Sequence, residues 1–412
     1  MNRSHRFPWF TIGMLFAATA LSFLDRQVLS TLAPRIMAEF GMTNTSYSHV
    51  VFAFQASYTI MSALGGWMID RIGVKRGLGI SLALWSIASA AHAFVRSVLW
   101  LGVARFILGF GEGACFPAAT RGAVEYAPAE RRSFATGAAI GGSALGAVVA
   151  PPLTVVLAAR YGWRGAFVVT GLIGFIWLAL WIGSVSNRAE RVVTSRSRIS
   201  YRELFSDRKL VWILAARFVF DPVFYFYMFW IPQFLSRERG MSLDEIGNLF
   251  WVPFLMLGIS QVFFGNLTDW LSSRGKTPVQ AKSFLLLIAA AVTPVSWIAG
   301  MAPDKYWAIF FMSVLLFAHG VWITNYLSLL TSIFPAEQTA SIVGLTGMVG
   351  GISGMLSTLV IGPVVDRFSF TPVFAVSGIV YPLAYLLIRI AIKTPANKGN
   401  GRSIIEVEQK LV

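Results

Sequence analysis

Residues 9–32 read WFTIGMLFAATALSFLDRQVLSTL. An apolar run of about 20 residues is long enough to cross a bilayer as an α-helix. Well inside this one, Asp25 and Arg26 stand side by side. A charge near the bilayer centre costs roughly 2.5–3.5 kcal/mol on insertion scales. Consecutive helical residues project about 100° apart, so the two charges cannot simply neutralise each other. Each needs its own partner, on another helix or in a water-filled cavity. The stretch therefore reads as a membrane helix lining a polar pathway, and the rest of the chain has to supply the remainder of that pathway.

Composition agrees. Of 412 residues, 56% are hydrophobic and 13% charged, against about 25% charged in soluble domains. The first segment is too long for a cleaved signal peptide and lacks a small-residue cleavage site. Cys115 is the single cysteine, which excludes an intramolecular disulfide and a cysteine-based metal site. Twelve apolar segments of spanning length lie near 9–32, 46–68, 78–95, 98–120, 134–158, 165–184, 210–234, 247–268, 282–300, 305–333, 339–363 and 372–392. With both termini in the cytoplasm, about 23 of the 34 Lys and Arg fall in cytoplasmic loops and tails, about 8 fall outside, and Arg26, Arg105 and Arg217 lie within segments. The net charge of +15 is thus orientation plus attraction to anionic lipid head groups, and implies no nucleic-acid partner.

The longest polar stretch, Ser184 to Lys209, separates six segments from six. The expected organisation is a bundle over 1–184, a cytoplasmic linker over 185–209, and a second bundle over 210–412 that includes a short cytoplasmic tail. The halves echo one another. Pro128-Ala129-Glu130 recurs as Pro335-Ala336-Glu337, and Arg160-Tyr161-Gly162-Trp163 is echoed by Arg367-Phe368-Ser369-Phe370, both 207 positions on. Gly66 and Asp70 close segment 2 as Gly265 and Asp269 close segment 8. The expected fold class is all-α: twelve transmembrane helices in two six-helix bundles related by a parallel repeat, an architecture of transporters that places the substrate between the halves.

The pattern Gly66-x-x-x-Asp70-Arg71-x-Gly73-x-Lys75-Arg76 resembles the loop 2–3 signature of the major facilitator superfamily. Leu24-Asp25-Arg26, Ala104-Arg105 through Gly111-Glu112-Gly113 to Phe116-Pro117-Ala118, Ala216-Arg217-Phe218, Trp230-Ile231-Pro232, Ala318-His319 and Gly344-Leu345-Thr346-Gly347-Met348 resemble the anion:cation symporter family, and within it the hexuronate and galactonate proton symporters. That resemblance implies uptake of a small sugar acid with protons by alternating access, in a bacterial inner membrane. It makes Arg26 the ligand of the substrate carboxylate, Asp25 and Glu112 the proton acceptors, and Tyr58 a substrate contact. It implies no cofactor beyond the coupling proton. The expected partners are the carboxylate substrate, protons and membrane lipids, with the chain as a monomer. Gly66, Asp70, Arg71, Gly73 and Arg76 are expected to latch the cytoplasmic helix ends.

Charge logic supports these roles. Arg105 and Glu112 are seven residues apart, so they share one helix face about 10 Å apart. Arginine stays charged and can hold a carboxylate through two parallel hydrogen bonds, whereas Asp25 and Glu112 can gain and lose a proton. Arg105 is expected to balance these acids. Gln55 and Tyr58 share a face of segment 2. Arg217 and Asp221 are spaced for an in-helix salt bridge. Tyr225, Tyr227 and Trp230 either stack on substrate or form an interfacial belt. His319 on segment 10 is either a proton relay or a partner in an interhelical bond, and Asn325 is a candidate hydroxyl ligand.

Two other functions compete. A drug or metabolite exporter of the same fold would carry a Gly-Pro pair in a glycine repeat in segment 5; here Pro151-Pro152 follows Ala150. A transporter-like sensor would need an added signalling element. An enzyme is not expected, because the sequence has no nucleophile–base pair and no Gly-Lys-Ser phosphate loop.

Overall fold

The structure, a computed structural model, describes residues 8–128, 131–185, 207–334 and 336–395. Most of the linker, the tail beyond 395, and Ala129, Glu130 and Pro335 of the repeated tripeptide lie outside the described residues. In order the helices are α1 (Trp9–Phe40), α2 (Asn44–Ile72), α3 (Val74–Ala91, closed by a 3-10 turn His92–Phe94), α4 (Val98–Glu112), α5 (Cys115–Tyr126), α6 (Arg132–Ser184), α7 (Arg208–Phe229), α8 (Ile231–Arg239), α9 (Leu243–Leu249), α10 (Trp251–Ser273), α11 (Pro278–Val292), α12 (Val295–Gly300), α13 (Lys305–Ile333), α14 (Ala336–Arg367) and α15 (Thr371–Lys393).

Among the described residues, ten stretches of helix are long and apolar enough to span a membrane. One of them is two crossings: α6 is interrupted at Gly162, whose φ of 72° and ψ of 169° leave helical space and turn the chain back. The 29-residue α2 is less apolar because Gln55, Ser57, Thr59 and Ser62 interrupt its apolar stretch. These two helices account for the difference from the twelve segments read in the sequence. Apolar side chains such as Ile80, Leu99, Val262 and Ile379 are more than half exposed, while Asp25, Arg26, Arg105 and Glu112 are buried, the inverse of a soluble protein. The chain is a multi-pass membrane protein.

The described chain packs as two compact units. The first gathers Met1–Val192, Phe226–Trp251 and Met355–Arg367; the second gathers Val193–Tyr225, Val252–Gly354 and Phe368–Val412. In the first, α1 lies along α6, α2 against α4, and α3 against α6. The last turn of α7 joins this unit: Ser30 donates to the Met228 carbonyl at 2.7 Å and the Tyr47 hydroxyl to the Phe229 carbonyl at 2.8 Å. The C-terminal part of α14, Met355–Arg367, also belongs here. The Asp366 carboxylate accepts from the Asn44 and Thr45 amides at 2.9 and 2.7 Å, and from the Thr45 hydroxyl at 2.6 Å. It thereby satisfies amides that the start of a helix leaves without partners. In the second unit, α11 and α12 pack on α13 and α15 around an aromatic centre in which Phe220 meets Trp322, Tyr326 and Tyr381 at 5.4, 5.1 and 5.9 Å.

Glycine sets how closely α4 approaches α2. A methyl group on Gly109 would overlap the Phe54 carbonyl and the Ser57 hydroxyl, and one on Gly113 would lie 2.7 Å from the Tyr58 carbonyl oxygen. Small residues at such seams let membrane helices pack backbone to backbone. Gly109→Ala should therefore cost about 1–3 kcal/mol of overpacking, read as a lower unfolding midpoint of the purified protein in detergent. An unchanged midpoint would show that the seam has room to relax.

Candidate functional site

α1 presents its charges on two faces. Ser22 and Arg26 are four apart and share one, while Asp25 points roughly 100° away. On the Arg26 face the first unit brings up α4. Arg26 Nε donates to Glu112 Oε2 at 2.8 Å, Ser22 Oγ donates to the same oxygen at 2.9 Å, and Arg26 Nη2 donates to Ser22 Oγ at 3.2 Å. The three side chains close a buried triangle. The guanidinium also lies over the Tyr58 ring at 4.1 Å and the Phe23 ring at 4.7 Å, a cation–π arrangement worth about 2 kcal/mol when desolvated. The cross-helix partner of Glu112 is thus Arg26.

Asp25 is held on the other side by groups the sequence reading did not name. Ser89 on α3 donates to Asp25 Oδ1 at 3.1 Å, and Thr170, on the second arm of α6, lies 3.1 Å from the Ser89 hydroxyl. Hydroxyls in apolar segments carry no charge signal, which is why they escaped notice. The glycines of α6 could have drawn attention: a methyl on Gly171 would come within 2.8 Å of the Ser86 carbonyl oxygen, so the two helices touch backbone to backbone beside these hydroxyls.

Arg105 departs from expectation. It makes no ion pair with either acid; its Nε and Nη2 have no acceptor although the residue is 1% exposed. Its guanidinium lies 5.7 Å from the Phe54 ring and 5.9 Å from Phe167. Arg26 instead takes Glu112 Oε2, and Ser89 takes Asp25 Oδ1. Gln55 is likewise buried with neither amide atom partnered, and Glu112 Oε1 has no donor. A buried polar atom without a partner costs about 1–3 kcal/mol. Five such atoms in one region leave hydrogen-bonding capacity that a polar ligand or water can fill.

The remaining candidates divide between the units. Trp230 belongs to the first, with its ring edge-on to Tyr47 at 5.2 Å. Both Trp230 and Tyr227 are fully buried, which removes them from a lipid-facing aromatic belt. Tyr225, His319 and Asn325 belong to the second. His319 Nδ1 shares a 2.5 Å hydrogen bond with the Tyr381 hydroxyl and stacks on Phe224 at 5.0 Å. Asn325 accepts from Thr268 at 2.8 Å and donates to the Val321 carbonyl at 2.8 Å. Both side chains are therefore engaged within the unit. Arg217 and Asp221 form the in-helix pair at 2.8 Å.

The loop signature closes on itself. α2 runs through Gly66 and Asp70 to Ile72; Gly73, with φ of 81°, makes the turn, and α3 starts at Val74 and carries Arg76. Arg71 lies over the Trp67 ring at 4.0 Å. Asp70 is 3.8 Å from Arg121 of α5, a partner the sequence reading missed.

A sequence profile of the Major Facilitator Superfamily matches residues 15–358. The hexuronate transporter of Escherichia coli strain K12 is 28% identical over 94% of this chain and 94% of its own length. The D-galactonate transporter of Escherichia coli O6:H1 is 25% identical over 92% of this chain and 95% of its own. The galacturonate transporter of Dickeya chrysanthemi is 29% identical over 62% of this chain and 80% of its own. Among solved structures, a bacterial homolog of the human lysosomal transporter Spinster, in an inward-facing and occupied conformation, superposes with a TM-score of 0.75 at 17% identity, over 93% of this chain and 95% of the other.

Proposed function

Because the chain belongs to the Major Facilitator Superfamily, and is a transporter rather than an enzyme, we propose that it takes up a small sugar acid, of the hexuronate or aldonate class, together with protons. The observation that carries this reading is the buried cluster of α1, α2 and α4, in which two arginines and two carboxylates occupy different settings. Arg105 has open N–H donors and no carboxylate of its own; an incoming substrate carboxylate would fill them. Arg26 is held by Glu112 and becomes available to an anion when Glu112 is protonated. Substrate and proton then favour the same state of the site, which is thermodynamic coupling. Gln55, beside Tyr58, supplies one donor and one acceptor for sugar hydroxyls. The relatives named for hexuronate, galacturonate and galactonate all carry such substrates. The resemblance adds an inner-membrane location, and the excess of Lys and Arg on one side puts both termini in the cytoplasm in this reading. Tyr225, Trp230, His319 and Asn325 remain second-line substrate contacts in this reading.

The energetics favour coupling. Moving one negative charge into a cell at −100 mV inside costs about 2.3 kcal/mol. One proton cancels that charge and a second makes uptake electrically driven. The test is thermal unfolding of the purified protein against uronates, aldonates and aldarates, followed by uptake into vesicles with an imposed pH step. A ligand at 100 times its Kd stabilises the fold by about 2.7 kcal/mol. No stabilisation by any sugar acid would overturn the substrate class, and stabilisation with pH-indifferent uptake would overturn the coupling.

The loop signature has a separate role in this proposal. Asp70→Asn or Arg121→Ala should slow turnover while leaving the ranking of ligands in the unfolding assay unchanged. A changed ranking would place the Asp70–Arg121 contact in substrate recognition instead.

A further inference from the structure

The setting of Asp25 contains a feature that the cluster around Arg26 lacks. Ser89 Oγ lies 3.1 Å from Asp25 Oδ1 and 3.4 Å from the Phe167 carbonyl oxygen. Thr170 Oγ1 lies 3.2 Å from the same carbonyl and 3.1 Å from Ser89 Oγ. All four groups are buried; Asp25 is 2% exposed, Ser89 1% and Thr170 1%. A hydroxyl has one proton and rotates freely about its C–O bond. Each of these two hydroxyls therefore has the Phe167 carbonyl as an alternative acceptor.

We propose that Ser89 and Thr170 form a hydroxyl rotor that holds Asp25 in both of its protonation states, making them positioning residues for the coupling proton. When Asp25 is ionised, Ser89 donates to it and Thr170 donates to Ser89. When Asp25 takes up a proton, its new O–H needs an acceptor. Ser89 then turns its proton to the Phe167 carbonyl and offers its lone pair to Asp25. Asp25 Oδ1 and both hydroxyls keep a partner in either state, so protonation at that oxygen proceeds without one of them being left bare.

The charges around Asp25 fit this assignment. α1 directs its adjacent Arg26 to Glu112. α4 faces Asp25 with Arg105 and Glu112, neither within ion-pair distance. α3 contributes His92 one turn beyond Ser89; its Nδ1 is 2.7 Å from the Ala88 carbonyl and its ring stacks on Phe167 at 4.6 Å. The second arm of α6 brings only Thr170. The close seam at Gly171 holds α6 and α3 at the spacing the two hydroxyls need.

This inference rests on the proton-coupled reading above, and the experiment separates the two. Uptake into proteoliposomes is measured across pH for the wild type, Asp25→Asn, Ser89→Ala, Ser89→Thr, Thr170→Val and Thr170→Ser. A wild type without a pH midpoint defeats the coupled reading itself. Given a midpoint that Asp25→Asn abolishes, Ser89→Ala and Thr170→Val should each move it to higher pH. Ser89→Ala removes a donor to the carboxylate that favours its ionised form, with an expected shift of about one unit; Thr170→Val acts through Ser89, whose hydroxyl it no longer supports, and the shift should be smaller in the same direction. Ser89→Thr and Thr170→Ser, which keep the hydroxyls, should retain the wild-type midpoint. If the alanine or valine variant does not fold, Ser89→Cys keeps the volume with a weaker donor and should shift the midpoint in the same direction. Rates that fall equally at all pH values, with the midpoint fixed, overturn the rotor and leave Ser89 and Thr170 as packing groups. A midpoint that survives Asp25→Asn overturns it as well.

Discussion

Arg26→Lys is expected to reduce sugar-acid uptake by about 100-fold, although the charge is kept. Arg26 donates from two nitrogens at once, to Glu112 at 2.8 Å and to Ser22 at 3.2 Å, while its plane lies over Tyr58 at 4.1 Å. A lysine ammonium is a point charge without the fork or the flat face. It can meet Glu112 but cannot keep the Ser22 contact and the ring together. Losing one charge-assisted hydrogen bond costs about 1.5–3 kcal/mol, which at its upper end is the fall quoted. The loss should fall on uptake and on ligand-induced stabilisation together, because the same fork would hold the substrate carboxylate. The check is radiolabelled uptake by whole cells, beside the unfolding midpoint with and without ligand. Near-normal uptake at normal expression would rule out two-point capture at Arg26.

Glu112→Gln is expected to abolish accumulation driven by a pH step while keeping counterflow exchange in the same vesicles. The glutamine mimics the protonated acid: it keeps the shape and a hydrogen-bonding oxygen for Arg26 and Ser22, but carries no charge to hold the guanidinium. Arg26 would then be permanently released to the anion. Exchange of substrate for substrate needs only binding and the conformational cycle, whereas uphill uptake needs a site that gains and loses a proton in each cycle. Asp25→Asn should also lose accumulation. Its effect on binding should be smaller than that of Arg26→Lys, because Asp25 faces Ser89 rather than the arginine cluster. Full pH-driven accumulation by Glu112→Gln would remove Glu112 from coupling and leave Asp25 as the carrier.

The two acids differ chemically although both are buried carboxylates on neighbouring helices. Glu112 has an ion pair and one unpartnered oxygen. Asp25 has hydroxyls. One proton would release an arginine, and the other would turn a rotor. In this proposal the first links protonation to substrate, while the second can load independently of it.

Much of this was legible in the chain itself. Hydrophobic length and sparse charge determine a multi-pass helical protein, because a bilayer of fixed thickness demands about 20 apolar residues per crossing and charges the interruptions heavily. The spacing of Asp25, Arg26, Arg105 and Glu112 determined that buried charges would gather on α1 and α4, since no such charge can face lipid. The Gly66 to Arg76 signature and the residues around it pointed to the family. What the sequence could not decide was which charge meets which. A one-residue step on a helix is a rotation of about 100°, and only the way the first unit sets α1 against α5 and α6 sends Arg26 to Glu112 and Asp25 to Ser89. It also could not single out Ser89, Thr170 or Arg121, because a hydroxyl or a helical arginine acquires meaning only from the group a distant helix places 3–4 Å away. His319 and Asn325 show the converse. The sequence left His319 open between a relay and an interhelical bond and offered Asn325 as a hydroxyl ligand; the fold adds their partners Tyr381 and Thr268, 62 and 57 positions away. Type and spacing are properties of the chain; partnership is a property of the fold, because hydrogen bonds and ion pairs act over a few ångströms in space and not along the sequence.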